Sequence, residues 1–129
     1  MELRRVLLVV LAAPGAALGV LAAGCSPDPG IAPPRPCGAV DASCPAQPPS
    51  FAHDVDPIIV TYCNACHGEG GIEQALYDYT SYQGIFRARS SMASFVSDCR
   101  MPPADAGLFP SDEERQTVLQ WISCGAPNN

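Results

Sequence analysis

Cys63-Asn64-Ala65-Cys66-His67 is the stretch on which the reading of this chain turns. Two thiols three positions apart lie about one helical turn from each other, close enough to add to the two vinyl groups of one porphyrin. The adjacent imidazole then lies under the iron as its proximal ligand. Two other chemistries use similar spacings. A zinc knuckle needs a fourth ligand at short spacing, and none stands near His67. A thioredoxin-type dithiol expects a preceding strand and a βαβ pattern, and neither is visible. Covalent haem attachment is the reading that the local residues favour.

The flanking chain reads as exported. Arg4 and Arg5 precede an apolar run from Val6 to Ala23, interrupted by Pro14, Gly15 and Gly19, so residues 1–24 read as a signal peptide. Leu21-Ala22-Ala23-Gly24-Cys25 resembles the lipobox of bacterial lipoproteins, which implies cleavage before Cys25 and lipidation of its sulfur. Ala22 stands where that motif prefers leucine, and a plain cleaved signal or an uncleaved anchor stays open. Ser26 next to the cysteine implies, in that family, sorting to the outer membrane.

Cleavage there leaves 129 − 24 = 105 residues, enough for one small domain. From Cys25 onward there are 5 Lys+Arg, all arginine, and 12 Asp+Glu, a net charge near −7. Such a surface argues against nucleic acid and against acidic partners. Residues 25–50 carry eight prolines and few core-forming side chains, and they read as a disordered Pro-rich tether. Seven cysteines in an exported chain imply disulfides. With Cys25 assigned to lipid and Cys63 and Cys66 to haem, Cys37, Cys44, Cys99 and Cys124 remain. Four cysteines allow three pairings; sequence order suggests Cys37–Cys44 and Cys99–Cys124.

Residues 51–129 read as the domain. Asp56-Pro57 predicts a helix start, with Ile58, Ile59, Tyr62 and Cys66 on one face. Gly68, Gly70 and Gly71 stop this helix after the attachment residues, and residues 69–79 follow as an irregular loop. Thr80-Ser81-Tyr82-Gln83 opens a short helix through about Arg89. Residues 90–110 read mostly as loop. Ser111 and Glu114 form a capping box for a last helix, which buries Val118, Leu119 and Ile122 and ends at Gly125.

Taken together, the helix ending in Cys63-Asn64-Ala65-Cys66-His67, the loop Arg100-Met101-Pro102-Pro103 and the closing helix Val118 to Ala126 resemble a class I c-type cytochrome domain. The resemblance implies an all-α fold around one covalently attached haem c, with Met101 as the distal ligand. Val55 and Ile59 depart from the small and aromatic residues usual on the first helix. No proline in residues 68–80 supplies the carbonyl that normally orients the proximal imidazole.

Independently of family, a thioether favours ferrous iron and raises the potential, and two following prolines stiffen the backbone that carries it. Met92 and His53 are alternative sixth ligands. A Cys99–Cys124 bridge would hold Met101 against the iron. Arg87, Arg89 and Arg100 are candidates for haem propionates, and Trp121 for packing between helices. Glu69, Glu73 and Asp78 could approach a haem edge, without paired-carboxylate spacing.

The function implied is a monohaem one-electron carrier, not an enzyme, exchanging electrons with a protein donor and acceptor. It would sit on the periplasmic side of a bacterial membrane or at the outer membrane, held by lipid rather than a spanning helix. The alternative is a peroxidase-like or gas-binding haem protein with an open distal position, for which His53 is the only histidine candidate.

Overall fold

The computed structural model describes residues 36–129. The signal peptide, Cys25 and the first part of the Pro-rich segment lie outside the described residues. The described chain is helical with no strands: α1 (Asp56–Tyr62), α2 (Asn64–His67), α3 (Tyr82–Ser97) and α4 (Asp112–Ser123). A π-helical turn, Phe51–Val55, leads into α1, and a 3-10 turn, Ala104–Ala106, precedes α4. No described helix is long and apolar enough to cross a membrane.

The first helical stretch starts at Phe51, five residues before the predicted Asp56-Pro57 start. Ser50 caps it: its Oγ accepts from His53 N at 3.4 Å, while Asp54 Oδ2 accepts from Ser50 N at 2.7 Å. Pro57 still falls at the start of α1, where its missing N–H costs no hydrogen bond. The last residue closes over this end, since Phe51 N donates to Asn129 Oδ1 at 2.9 Å.

α3 runs through Ser97, well past the predicted end near Arg89. Ile85, Ala88 and Met92 recur at i, i+3 and i+7 on its buried face, and that stripe outweighs the weak helix propensity of the serines. α4 begins and ends as expected. Ser111 and Glu114 form the capping box, and Asp112, Glu113 and Glu114 sit in the first turn, at the positive end of the helix dipole.

α3 packs on α4, and α4 packs on the π-helical turn. The core between them is Phe51, Val55, Ile59, Ile85, Met92, Val118 and Trp121. Trp121 is fully buried, and its Nε1 donates to Pro127 O at 2.9 Å. Full burial of such an indole contributes about 3 kcal/mol or more relative to exposure.

Two corrections concern the Pro-rich segment. Residues 36–50 are not a free tether but a strap bound along α4. Arg115 Nη1 donates to Gly38 O at 3.1 Å near the start of α4. Gln120 Nε2 donates to Asp41 O at 3.0 Å further along. The disulfides follow this path: Cys37–Cys99, with Cα atoms 5.8 Å apart, and Cys44–Cys124, at 4.9 Å. Neither predicted pairing, Cys37–Cys44 or Cys99–Cys124, occurs.

The reason is the direction of α4. Arg115, in its first turn, donates to Val96 O and Ser97 O at the end of α3. Cys124 lies nine residues further on, about 14 Å away along a helix rising 1.5 Å per residue, out of reach of Cys99. The strap runs beside α4, bonded to Arg115 by Gly38 O and to Gln120 by Asp41 O, so Cys37 and Cys44 also stay apart.

Candidate functional site

Cys63 links α1 to α2, and the helical hydrogen bonds continue through it: Cys63 N donates to Ile59 O at 2.9 Å and His67 N to Cys63 O at 2.9 Å. Cys63 and Cys66 are therefore one helical turn apart, as their spacing predicts. Gly68 ends this turn in extended conformation. The loop that follows folds back on the helix end, with Glu73 N donating to Cys66 O at 2.9 Å and Tyr79 N to His67 O at 3.0 Å. These bonds occupy carbonyls that a helix C-terminus leaves without partners. Gly71 passes so close to Cys66 O that any Cβ there would collide with it.

Cys63, Cys66, His67 and Met101 line one apolar cavity of about 410 Å³. Ile58, Ile59, Val96 and Val118 are among its walls. Pro102 and Pro103, both buried, fix the backbone after Met101. Met92 also lines the cavity, but as a core side chain of α3 that is 4% exposed. His53 is exposed and is not among the lining residues.

His67 is 8% exposed, and its Nδ1 has no hydrogen-bond partner. Tyr79 stacks on the ring with centroids 4.7 Å apart, and Tyr77 meets it edge-on at 6.1 Å. Burial lowers the imidazole pKa and outweighs the opposing influence of the backbone of Tyr77 and Glu73 and the charge of Glu73. The ring is therefore neutral at neutral pH, with a lone pair able to bind a metal.

Cys63 is a free thiol, and burial pushes its pKa up to about 12. A thiol of that pKa is a poor nucleophile at neutral pH, which disfavours a redox-active dithiol. Cys63 and Cys66 are not bridged to each other. Among the described residues no three His, Cys, Asp or Glu side chains converge to hold a metal ion.

The arginines named as propionate partners lie elsewhere. Arg87 is exposed, and Arg89 lies 3.9 Å over the Phe86 ring. Arg100 pairs with Asp98 at 3.1 Å. Of the acidic candidates only Glu73 lines the cavity; Glu69 and Asp78 do not. Trp121 packs in the core, as expected.

Three features escaped sequence reasoning. One is the stacking of Tyr79 on His67, which no spacing announces. A second is the Tyr62–Glu114 contact on the cavity wall, with Tyr62 Oη donating to the carboxylate at 3.0 and 3.1 Å. The third is Arg115, which is 2% exposed and lines the same cavity. Its signal was available: it stands in helical register with Val118, Leu119 and Ile122, a charged residue on an otherwise apolar stripe. Comparison of the chain with protein-family models, curated proteins and solved structures finds no match.

Proposed function

We propose that this chain is an exported one-electron carrier holding one haem c in the apolar cavity, with the fold of a small c-type cytochrome. The observation that carries this is the convergence of Cys63, Cys66, His67 and Met101 on that cavity. A buried imidazole with an unpartnered nitrogen and a soft thioether among apolar walls suit a porphyrin iron better than a hydrated cation. When bound, haem supplies reversible one-electron exchange between Fe(II) and Fe(III).

Within that reading each side chain has a definite task. Cys63 and Cys66 would hold the cofactor through thioether links. His67, neutral and stacked on Tyr79, would hold the iron through a ring nitrogen. Met101 would hold it through sulfur, and Pro102 and Pro103 limit its movement. Ile58, Ile59, Val96 and Val118 exclude water. Cys25 carries the lipid, and the anchor confines the carrier near membrane-bound donor and acceptor proteins. A peroxidase-like site would need a distal acid–base group, and His53 is exposed and off the cavity lining.

The test is an optical spectrum, a pyridine hemochrome and an intact mass of the chain matured in a bacterial host with haem-attachment machinery. A low-spin c-type spectrum with one covalent tetrapyrrole is expected. Met101→Ala should open the iron to carbon monoxide, and Met92→Ala should not. Colourless protein with no added tetrapyrrole mass overturns the proposal.

A further inference from the structure

We propose that Arg115 is a positioning residue for Met101. The role given to Met101 rests on the function proposed above, but the holding of its loop does not.

The guanidinium gathers three separate pieces of chain. Nε donates to Val96 O at 3.2 Å and Nη2 to Ser97 O at 3.1 Å, both at the end of α3. Nη1 donates to Gly38 O of the strap at 3.1 Å and to Asp112 Oδ1 of α4 at 2.7 Å. The preceding carbonyl, Phe95 O, accepts from Arg100 N at 2.9 Å and from Met101 N at 3.2 Å. The last turn of α3 therefore joins the two: Arg115 fixes it from one side, and the Met101 backbone hangs from it on the other.

A planar fork with a buried positive charge suits this place. It complements the negative end of the α3 dipole and meets several carbonyls in fixed directions, which an ammonium cannot. Gly38 belongs to the same device, since a Cβ there would collide with the Asp112 carboxylate.

Native-state amide exchange of the full chain tests this with no dependence on haem. Arg115→Lys keeps the charge and removes the fork; Arg115→Gln removes both. In each, the Arg100 and Met101 amides should exchange at least tenfold faster relative to the Ala126 amide at the end of α4. General destabilisation would speed all three together and leave that ratio unchanged, which would overturn the proposal. Should the Arg115 variants fail to fold, Gly38→Ala offers the same ratio, with a smaller rise expected and an unchanged ratio again decisive against it.

On haem-loaded protein, Arg115→Lys should diminish the near-infrared charge-transfer band of ferric iron bound to thioether. A full band there would contradict the role of Arg115. Wild-type protein that takes up no haem would defeat the proposed function instead, and the exchange ratio would still decide the role of Arg115.

Discussion

The ends of α3 and α4 share a hydrogen-bond pattern but owe it to different causes. At the end of α4, Gly125 adopts φ 91°, Gly125 N donates to Ile122 O at 3.0 Å and Ala126 N to Trp121 O at 2.9 Å. At the end of α3, Cys99 adopts φ 53°, Cys99 N donates to Val96 O at 3.3 Å and Arg100 N to Phe95 O at 2.9 Å. Both are Schellman caps. Glycine takes the left-handed conformation freely, so α4 ends by a local rule. Cysteine does not, and the end of α3 is held from a distance by Cys37 and Arg115. A terminus fixed by remote partners can be released by changing them, and this one carries Met101.

Removing the disulfides separates the two cases most sharply. In the chain-entropy model, closing loops with sequence separations of 62 and 80 contributes about 4 to 4.5 kcal/mol each, taken singly. Cys37→Ser with Cys99→Ser, and Cys44→Ser with Cys124→Ser, should therefore lower stability in urea by similar amounts. Their local effects should differ. Only the first pair should expose the Met101 amide to rapid exchange beyond the change in global stability. Equal exposure in both would mean that the end of α3 needs no dedicated restraint.

Smaller changes exchange the causes. Gly125→Ala places a Cβ at a left-handed position and should cost about 1 to 2 kcal/mol. In chains lacking Cys37, Cys99→Gly should be more stable than Cys99→Ser by about 1 kcal/mol, since glycine supplies locally what the disulfide supplied remotely. Urea midpoints check both. A Cys99→Gly chain no more stable than Cys99→Ser would show that the left-handed conformation is lost once the bridge is gone.

The same division explains how much could be read from the sequence. The helical turn through Cys63 and His67, the capping box of α4 and its glycine end rest on contacts between near neighbours, and the residue types announce them. The end of α3 was misplaced near Arg89 because no local stop signal marks Ser97: its cap is a cysteine whose conformation depends on Cys37. The strap looked like a tether because composition records its prolines but not the direction of α4 beside it. That Cys63, Cys66, His67 and Met101 would meet at one cavity was legible from their chemistry. Tyr79 and the Tyr62–Glu114 contact were not, since each depends on segments brought together only by folding, while Arg115 left only the trace of a charge on an apolar stripe.

The start of α4, also built from near neighbours, should answer to pH through Glu114. Burial pushes its carboxyl pKa up, but hydrogen bonds from the Ser111 backbone, the Tyr62 hydroxyl and the Ser111 side chain more than offset this and hold it below the ordinary value. A carboxylate whose pKa is lower in the folded than in the unfolded chain adds stability that is fully present above its unfolded pKa, about 4.3. That stability is lost as pH falls through the lower, folded value. The start of α4 should thus loosen in acid, and Glu114→Gln, which keeps an acceptor but removes the titration, should flatten the fall in stability below about pH 4. Urea midpoints of both chains between pH 3 and 6 measure the difference, expected to be the smallest of these effects because the carboxylate stands near water. Identical pH profiles would mean that the capping box holds α4 by its hydrogen bonds alone, with no contribution from the charge of Glu114.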